Sequence, residues 1–446
     1  MIQHIVKRDG RVVPFDKKKI AFAIFRAAVA VGGRDKDRAD YIADRVVEYL
    51  EQIREPGDLS YPTVEEVQDA VEKVLIEEGH AQTAKAYIVY RYEHALKRQG
   101  RESATYSQDN IPYKILWGTL AWAIDHDCYD TAGIRRWVEA GRLGELIDVS
   151  ETFYRDQLQS LSVSLADRLE ELRVVIVAGP SSSGKTTTTR KIAELVEGSG
   201  RRLVPISVDD YFFDLESHPQ DPRGDYDFET PQALDLGLFA LHLKELLAGK
   251  EVALPKYDFK HGRRIPDARS LRIDERDIVL IDSHHGLYDE LTVSVPEERK
   301  YRLYLETLAQ VKDDERRFIR WTDVRLLRRM VRDMQFRSYD PRQTLLHWYL
   351  VRRSELRYIV SRLRTAESII NTFLPYELLI LKPRLAERFP NFVAQLAEDP
   401  ERRDAYERAL RVDKLLNEIP DVDAEEMVPR DSILREFIGG SRYDVH

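Results

Sequence analysis

Four stretches near the N-terminus carry apolar residues every three or four positions. They run through Ile20, Ile24, Ala27 and Ala28, through Ile42, Val46, Val47 and Leu50, through Val64, Val67, Val71 and Leu75, and from Ala81 through Ala84, Ala86, Ile88 and Val89. This spacing predicts helices that each bury one face. Ahead of them, Ile5-Val6 and Val12-Val13 flank Asp9-Gly10 and predict a short hairpin. A polar link, Arg101-Glu102-Ser103-Ala104, follows. Helical patterns resume around Leu116, Leu120 and Ile124 and again from Leu158 to Leu172. They carry no evident chemistry and read as a connector.

The pattern changes at residue 173. Val174-Val175-Ile176-Val177-Ala178 is a continuous apolar run, as in a strand buried on both faces. Leu203-Val204-Pro205-Ile206-Ser207-Val208 and Ile278-Val279-Leu280-Ile281 repeat the type, with helical patterns between them. The alternation predicts an α/β fold, a mostly parallel sheet flanked by helices. The expected organisation is a mainly helical domain at 1–96, a helical connector at 97–172, an α/β domain at 173–383 and a charged helical extension at 384–446.

Composition narrows the function. The 446 residues suggest about three domains. With 69 Lys+Arg against 78 Asp+Glu, the net charge of -9 argues against coating nucleic acid or an anionic membrane. One cysteine, Cys128, excludes a disulfide framework or a zinc ribbon. No run of about 18 apolar residues occurs, and the first residues lack a signal-peptide core. The expectation is a soluble cytoplasmic protein with no nucleic-acid or membrane partner.

Directly after the first buried run comes Gly179-Pro180-Ser181-Ser182-Ser183-Gly184-Lys185-Thr186, followed by Thr187 and a helix pattern through Ile192, Leu195 and Val196. Glycines let backbone N–H groups close on phosphates, and the helix start adds positive potential. In such a loop Lys185 reaches the β- and γ-phosphates and Thr186 holds Mg²⁺. No N-K-x-D segment, which a GTPase would use to read its base, is found. A small-molecule kinase needs an acceptor-side acid, a metal-side acid and a cationic lid. Asp209-Asp210 ends the second strand, where ligands bind in open α/β sheets. The alternative is that both acids cap the next element. Asp282 ends the third strand. Arg325, Arg328, Arg329 and Arg332 share a helical face, with Arg337 beyond, and are the lid candidate. A solvated basic face is the alternative.

Residues 173 to about 383 resemble the uridine kinase/phosphoribulokinase group of P-loop kinases, specifically its uridine-kinase-like nucleoside kinases. The resemblance rests on Gly179–Thr187, Val208-Asp209-Asp210-Tyr211-Phe212, Tyr226-Asp227-Phe228-Glu229, Leu254–Arg263, Ile281-Asp282-Ser283-His284-His285-Gly286-Leu287 and Thr322–Asp333. It implies that Asp209 is the general base for a ribose 5'-hydroxyl and that Glu229 holds ribose hydroxyls. It also implies that Tyr257 and His261 surround the base, and that Arg329, Arg332 and Arg337 are lid and substrate arginines. Asp282 matches the acid of the family's E-G-I-H-G segment, which here reads D-S-H-H-G. His284 and His285 read as a strand-end turn, with no partner ligands evident for a metal. The Tyr257–His261 spacing is one residue shorter than in the best-known uridine kinases.

Residues 1 to about 95 resemble the ATP-cone, a small regulatory nucleotide-binding domain. The residues are Val6-Lys7-Arg8-Asp9-Gly10-Arg11, Pro14-Phe15-Asp16, Lys18-Lys19-Ile20, Val64–Glu72 and Ala86–Arg91. The resemblance implies that Lys7, Arg8 and Lys19 contact the phosphates of a regulatory adenine nucleotide. Val13 stands where a glutamate is common. Lys7, Arg8 and Lys19 are also a charge cluster suited to a triphosphate; a helical docking domain with a basic edge is the alternative. The ribonucleotide reductases and zinc-ribbon repressors that carry this domain need several cysteines, which this chain lacks.

The expectation is therefore an ATP- and Mg²⁺-dependent kinase acting on a nucleoside 5'-hydroxyl, uridine or cytidine first, with homo-oligomerisation open. Two competitors remain. One is a sugar-phosphate or 2-phosphoglycerate-like acceptor, drawing on Lys256, Lys260, Arg263 and Arg264. The other is a nucleotide sensor without turnover.

Overall fold

The structure, a computed structural model, describes residues 2–6, 12–31, 33, 35–53, 61–85, 87–88, 112–220 and 226–445. It divides into two units, Met1–Asp109 and Asn110–His446.

In the first unit, β1 (His4–Val6) pairs antiparallel with β2 (Val12–Pro14), His4 opposite Pro14. The hairpin predicted from Ile5-Val6 and Val12-Val13 is thus present; its Asp9-Gly10 turn lies outside the described residues. Among the described residues helices α1 (Lys17–Ala30), α2 (Lys36–Gln52) and α3 (Val64–Glu77) follow, and residues 81–85 and 87–88 are helical, while the rest of that predicted fourth helix lies outside the described residues. The Asp35 carboxylate accepts the Arg38 N–H and starts α2. Thr63 and Glu66 form a reciprocal capping box at α3. Ile24, Ile42, Val46, Leu50, Val71 and Leu75 are buried, which is the periodic face read from the sequence. Lys19 is exposed in the first turn of α1. Lys7 and Arg8 lie outside the described residues.

The second unit is built on a five-stranded parallel sheet. Its strands are β3 (Val174–Ala178), β4 (Arg202–Ser207), β7 (Asp277–Ser283), β8 (Lys300–Glu306) and β9 (Ser368–Asn371), in the order β4-β7-β3-β8-β9. β3 is central and its side chains feed two cores. Val175 and Val177 face one core, which includes Tyr154, Leu161 and Leu165; Val174, Ile176 and Ala178 face the other, with Tyr211, Phe239 and Leu243. That is why the run has no polar position. A second hairpin, β5 (Val252–Asp258) with β6 (Arg263–Leu271), stands outside this sheet.

Helices flank the sheet. Before β3 come α4 (Tyr113–Asp125), α5 (Thr131–Glu139) and α6 (Leu143–Ala166). After it come α7 (Lys185–Glu197), α8 (Leu236–Leu247), α9 (Trp321–Phe336) and α10 (Pro341–Ser354). The chain ends with α11 (Glu377–Leu385), α12 (Phe389–Leu396), α13 (Arg403–Glu418) and the single turn α14 (Arg435–Ile438). Tyr154 and Leu158 of α6, and Ile433, Leu434 and Phe437 near the C-terminus, lie in the same core as Val175 and Val177. No helix among the described residues is long and apolar enough to cross a membrane.

Strand β8 was not evident in the sequence because its apolar positions alternate with charges, yet every one of its residues is buried. The charges are paired. Lys300 Nζ lies 2.8 Å from Glu297 Oε1, Arg302 Nη1 2.6 Å from Glu297 Oε2, and Glu306 Oε1 2.8 Å from Arg325 Nε. Burial of a charge in a central strand requires such pairing.

Candidate active site

The loop between β3 and α7 is shaped by two glycines. A Cβ on Gly179 would stand 2.5 Å from the Leu305 carbonyl oxygen. Gly184 caps α7 with φ of 84°, a left-handed conformation glycine adopts without strain. The loop carbonyls are held from one side. Arg325 Nη1 donates to Ser181 O at 3.1 Å, Arg328 Nη1 to Ser182 O at 3.5 Å, and Thr372 Oγ1 to Ser183 O at 2.7 Å. In a trans peptide the N–H points away from its C=O, so the next amides face the other side. Lys185 Nζ reaches back across the loop to Pro180 O at 3.2 Å. Ser182 Oγ, Ser183 Oγ and Thr187 Oγ1 are buried without a hydrogen-bond partner. Buried hydroxyls are rarely left so, and these suit the oxygens of a polyphosphate. One amide in this region is already engaged, since Glu436 Oε2 accepts the Thr187 N–H at 2.9 Å.

Two strand ends bring acids to this loop. Asp209 and Asp210 lie in the single turn Val208–Tyr211 that follows β4. Asp210 accepts the Tyr257 N–H at 3.2 Å and so ties the turn to β5. Burial raises the Asp209 carboxyl, against the opposing pull of Lys185 and Arg337. Asp282, on β7, sits in register with Val177 of β3 and Ser207 of β4. Burial pushes it up to about 7, with Lys185 opposing and Asp209 and Glu436 adding to the rise. His284 Nδ1 lies 3.2 Å from Gly179 O. Burial, then the Lys185 charge, holds His284 well below the usual imidazole range, and burial takes His285 to about 3. Both are neutral at pH 7. Among the described residues no cluster of three or more His, Cys, Asp or Glu could hold a metal ion.

Helix α9 divides the arginine face that the sequence offered as one lid. Arg325 and Arg328 are fully buried. Arg325 Nη1 and Nη2 bond Glu355 at 2.5 and 2.9 Å. Arg328 Nε and Nη2 bond Glu377 at 2.5 and 2.9 Å, and Nη2 also bonds Thr372 O at 2.6 Å. These two brace the loop rather than forming part of a lid. Arg329 Nη1 instead bonds Ser181 Oγ at 3.0 Å and Glu229 Oε1 at 2.9 Å. Arg332 lies 2.8 Å from Asp333 Oδ1, and Arg337, exposed, 3.6 Å from the same atom. The Arg332 charge pulls Arg337 down to about 10, the mark of crowded cations. Arg329 therefore links the phosphate loop to Glu229.

Beside the Asp209 turn is an aromatic cluster. Tyr257 is buried, its ring centroid 5.4 Å from Phe212 and 4.9 Å from Phe259. His218 lies 6.4 Å from Tyr257 and 4.7 Å from Phe228. His218 Nε2 is 2.7 Å from Phe213 O. The Tyr257 hydroxyl and His218 Nδ1 are buried without partners. His261 does not join them. It is 65% exposed near the β5–β6 turn, with Nδ1 2.6 Å from Asp258 Oδ2. Sequence reasoning missed His218, whose signal is its position between the Asp209 turn and Tyr226-Asp227-Phe228-Glu229. It also missed Glu436, which no local pattern marks.

Comparison with known proteins agrees with this geometry. Residues 174–377 match the Phosphoribulokinase / Uridine kinase family model, and residues 3–96 match the ATP cone domain. A uridine kinase of Deinococcus deserti is 32% identical over 199 residues, 44% of this chain and 86% of that protein. One of Chloroflexus aurantiacus is 30% identical over 198 residues, 44% of this chain and 85% of that protein. A vitamin B12-dependent ribonucleoside-diphosphate reductase of Thermoplasma acidophilum is 42% identical over 107 residues, 23% of this chain and 13% of its own. Kinase relatives of this kind imply a phosphotransferase. The chain belongs to the phosphoribulokinase/uridine kinase family and carries an ATP-cone domain ahead of its kinase region.

Proposed function

We propose that the second unit transfers the γ-phosphoryl group of ATP to the 5'-hydroxyl of a nucleoside, uridine or cytidine first. The observation that carries this reading is that the turn bearing Asp209, which feels the Lys185 charge, is tied to an aromatic cluster with two unpartnered polar atoms, Tyr257 Oη and His218 Nδ1. Aromatic faces suit a base, and buried donors and acceptors select its edge.

The reaction needs three tasks from the chain. Asp209 takes the proton of the acceptor hydroxyl, and its raised pKa makes it a stronger base than an ordinary carboxylate. The acceptor oxygen then bonds the γ-phosphorus as the bond to the β-phosphate oxygen breaks, releasing ADP. Lys185, Arg329 and Arg332 donate to the charge that develops on the transferring oxygens. Glu229, tethered to Arg329, orients the sugar hydroxyls. Thr186 and Asp282 would hold Mg²⁺, which takes one or two protein oxygens and completes its shell with phosphates and water. Held there, the ion would supply positive charge against the phosphates. Arg337, whose charge is felt at Asp209, contacts the acceptor.

A panel assay of ADP release tests the acceptor. It contains common nucleosides, ribulose 5-phosphate, pantothenate and 2-phosphoglycerate. Turnover on uridine or cytidine, lost in a folded Asp209→Ala protein, is the expected result. Turnover confined to a non-nucleoside would overturn the acceptor. His261 facing Asp258 rather than the cluster favours keeping that second reading in the panel. Arg264, which pairs with Asp235 at 2.9 Å, is less available to such an acceptor than the sequence suggested.

For the first unit we propose a regulatory adenine-nucleotide site using Lys7, Arg8 and Lys19, in a cytoplasmic enzyme whose assembly responds to that nucleotide. Combined Lys7→Ala and Arg8→Ala substitution is expected to abolish the effect of ATP on sedimentation and on turnover. An unchanged response would remove the proposal.

A further inference from the structure

The start of α7 is met by a segment from the far end of the chain. Ile433 is fully buried, and a Cβ on Gly184 would stand 2.2 Å from its Cδ1. Glu436, 5% exposed, places Oε2 2.9 Å from the Thr187 nitrogen. The segment is tied down on both sides. Asp431 lies 3.5 Å from Lys191, Ser432 and Tyr376 share a hydrogen bond at 3.0 Å, and Arg442 and the Tyr443 hydroxyl donate to Glu194 at 2.7 and 3.0 Å.

Thr187 is in the first turn of α7, so its N–H has no partner within the helix. Those first amides, with the helix dipole, are what a phosphate loop offers to the α- and β-phosphates. Glu436 therefore puts an anion on a donor that a nucleotide phosphate would use. One N–H cannot serve both at bonding distance, and two anions side by side repel. The Glu436 charge is also felt at Asp282.

We propose that Glu436, carried on the C-terminal segment, is an intramolecular competitor for the nucleotide, and that a nucleoside di- or triphosphate enters the loop only as this carboxylate leaves the Thr187 amide. The proposal rests on the loop taking a nucleotide, as argued above. Ile433 and Leu434 stay in the core, so the change is confined to the turn that follows them. The moving part is the single turn Arg435–Ile438, which ends at Gly439 and Gly440 with φ of 90° and 74°. The segment thereby sets how much nucleotide the kinase needs, and anything that holds residues 431–443 in place would act as an inhibitor.

Hydrogen–deuterium exchange of the full chain with and without MgADP tests this by position. Peptides over 179–187 should gain protection while peptides over 432–439 lose it. In Glu436→Gln, the MgADP concentration giving half-protection of 179–187 should fall about tenfold, the worth of a charged hydrogen bond at a helix start. Protection of 179–187 with 432–439 unchanged in the wild-type chain would overturn the proposal, as would an unaltered half-point in Glu436→Gln. No protection of 179–187 at any MgADP concentration would instead overturn the nucleotide site itself, and the proposal with it.

Discussion

Arg325 and Arg328 on α9 are fully buried and paired with Glu306, Glu355 and Glu377, whereas Arg329 on the same face bonds Ser181 and Glu229 and Arg332 pairs with its neighbour Asp333. Residue type and helical spacing are the same for both pairs. What differs is what other elements bring to them. β8 supplies Glu306, the end of α10 supplies Glu355, and α11 supplies Glu377. These acids satisfy the first pair, which then turns its remaining N–H groups to the loop carbonyls. Arg329 meets Glu229 and Ser181, at the boundary between acceptor and phosphate. A run of arginines is thus a structural brace over one turn and a candidate for charge stabilisation over the next.

The comparison can be broken by substitution. Arg329→Ala should lower kcat by roughly 10²- to 10³-fold with little change in unfolding midpoint, the scale of losing one preorganised donor; a large loss of stability with kcat intact would reverse its assignment. Arg328→Ala should cost about 3–5 kcal/mol of stability in urea unfolding, because Glu377 is left buried and unpaired. Combining Arg328→Met with Glu377→Leu should recover most of that stability, since replacing both partners removes the unpaired charge. Turnover should not recover with it, because the Ser182 carbonyl loses its donor; full recovery of kcat would mean the brace is dispensable.

The smallest effect sharpens the electrostatics. Asp282 titrates near 7 when folded and near 4 when unfolded. Between those values the folded state holds an extra proton, so stability falls as pH rises through this window and is lowest above pH 7. Asp282→Asn should flatten that decline, raising the thermal midpoint at pH 8 more than at pH 4. An equal shift at both pH values would place the carboxyl in an ordinary, hydrated setting.

The site was unevenly legible. Gly179–Thr186, Asp209 and Asp282 could be placed because they sit where continuous apolar strands give way to polar turns; Glu229 was marked only by the family resemblance. β8 could not, since Lys300, Arg302 and Glu306 mask a strand whose charges are neutralised by Glu297 just ahead of it and by Arg325 on α9. His261 was expected in the aromatic cluster, but the hairpin turn bonds it to Asp258; the cluster contains His218 instead.

The sequence by itself determined the helical faces of the first unit, the central strands, the phosphate loop and the acids at the strand ends. All follow from local periodicity and short motifs, which depend on neighbours within a few residues. Tertiary structure decided which arginines are braces, which histidine joins the aromatic cluster, and that Glu436 meets Thr187 across 249 positions. Those outcomes depend on pairing between distant charges and hydrogen-bonding groups, and burial makes each pairing obligatory only after the chain has folded.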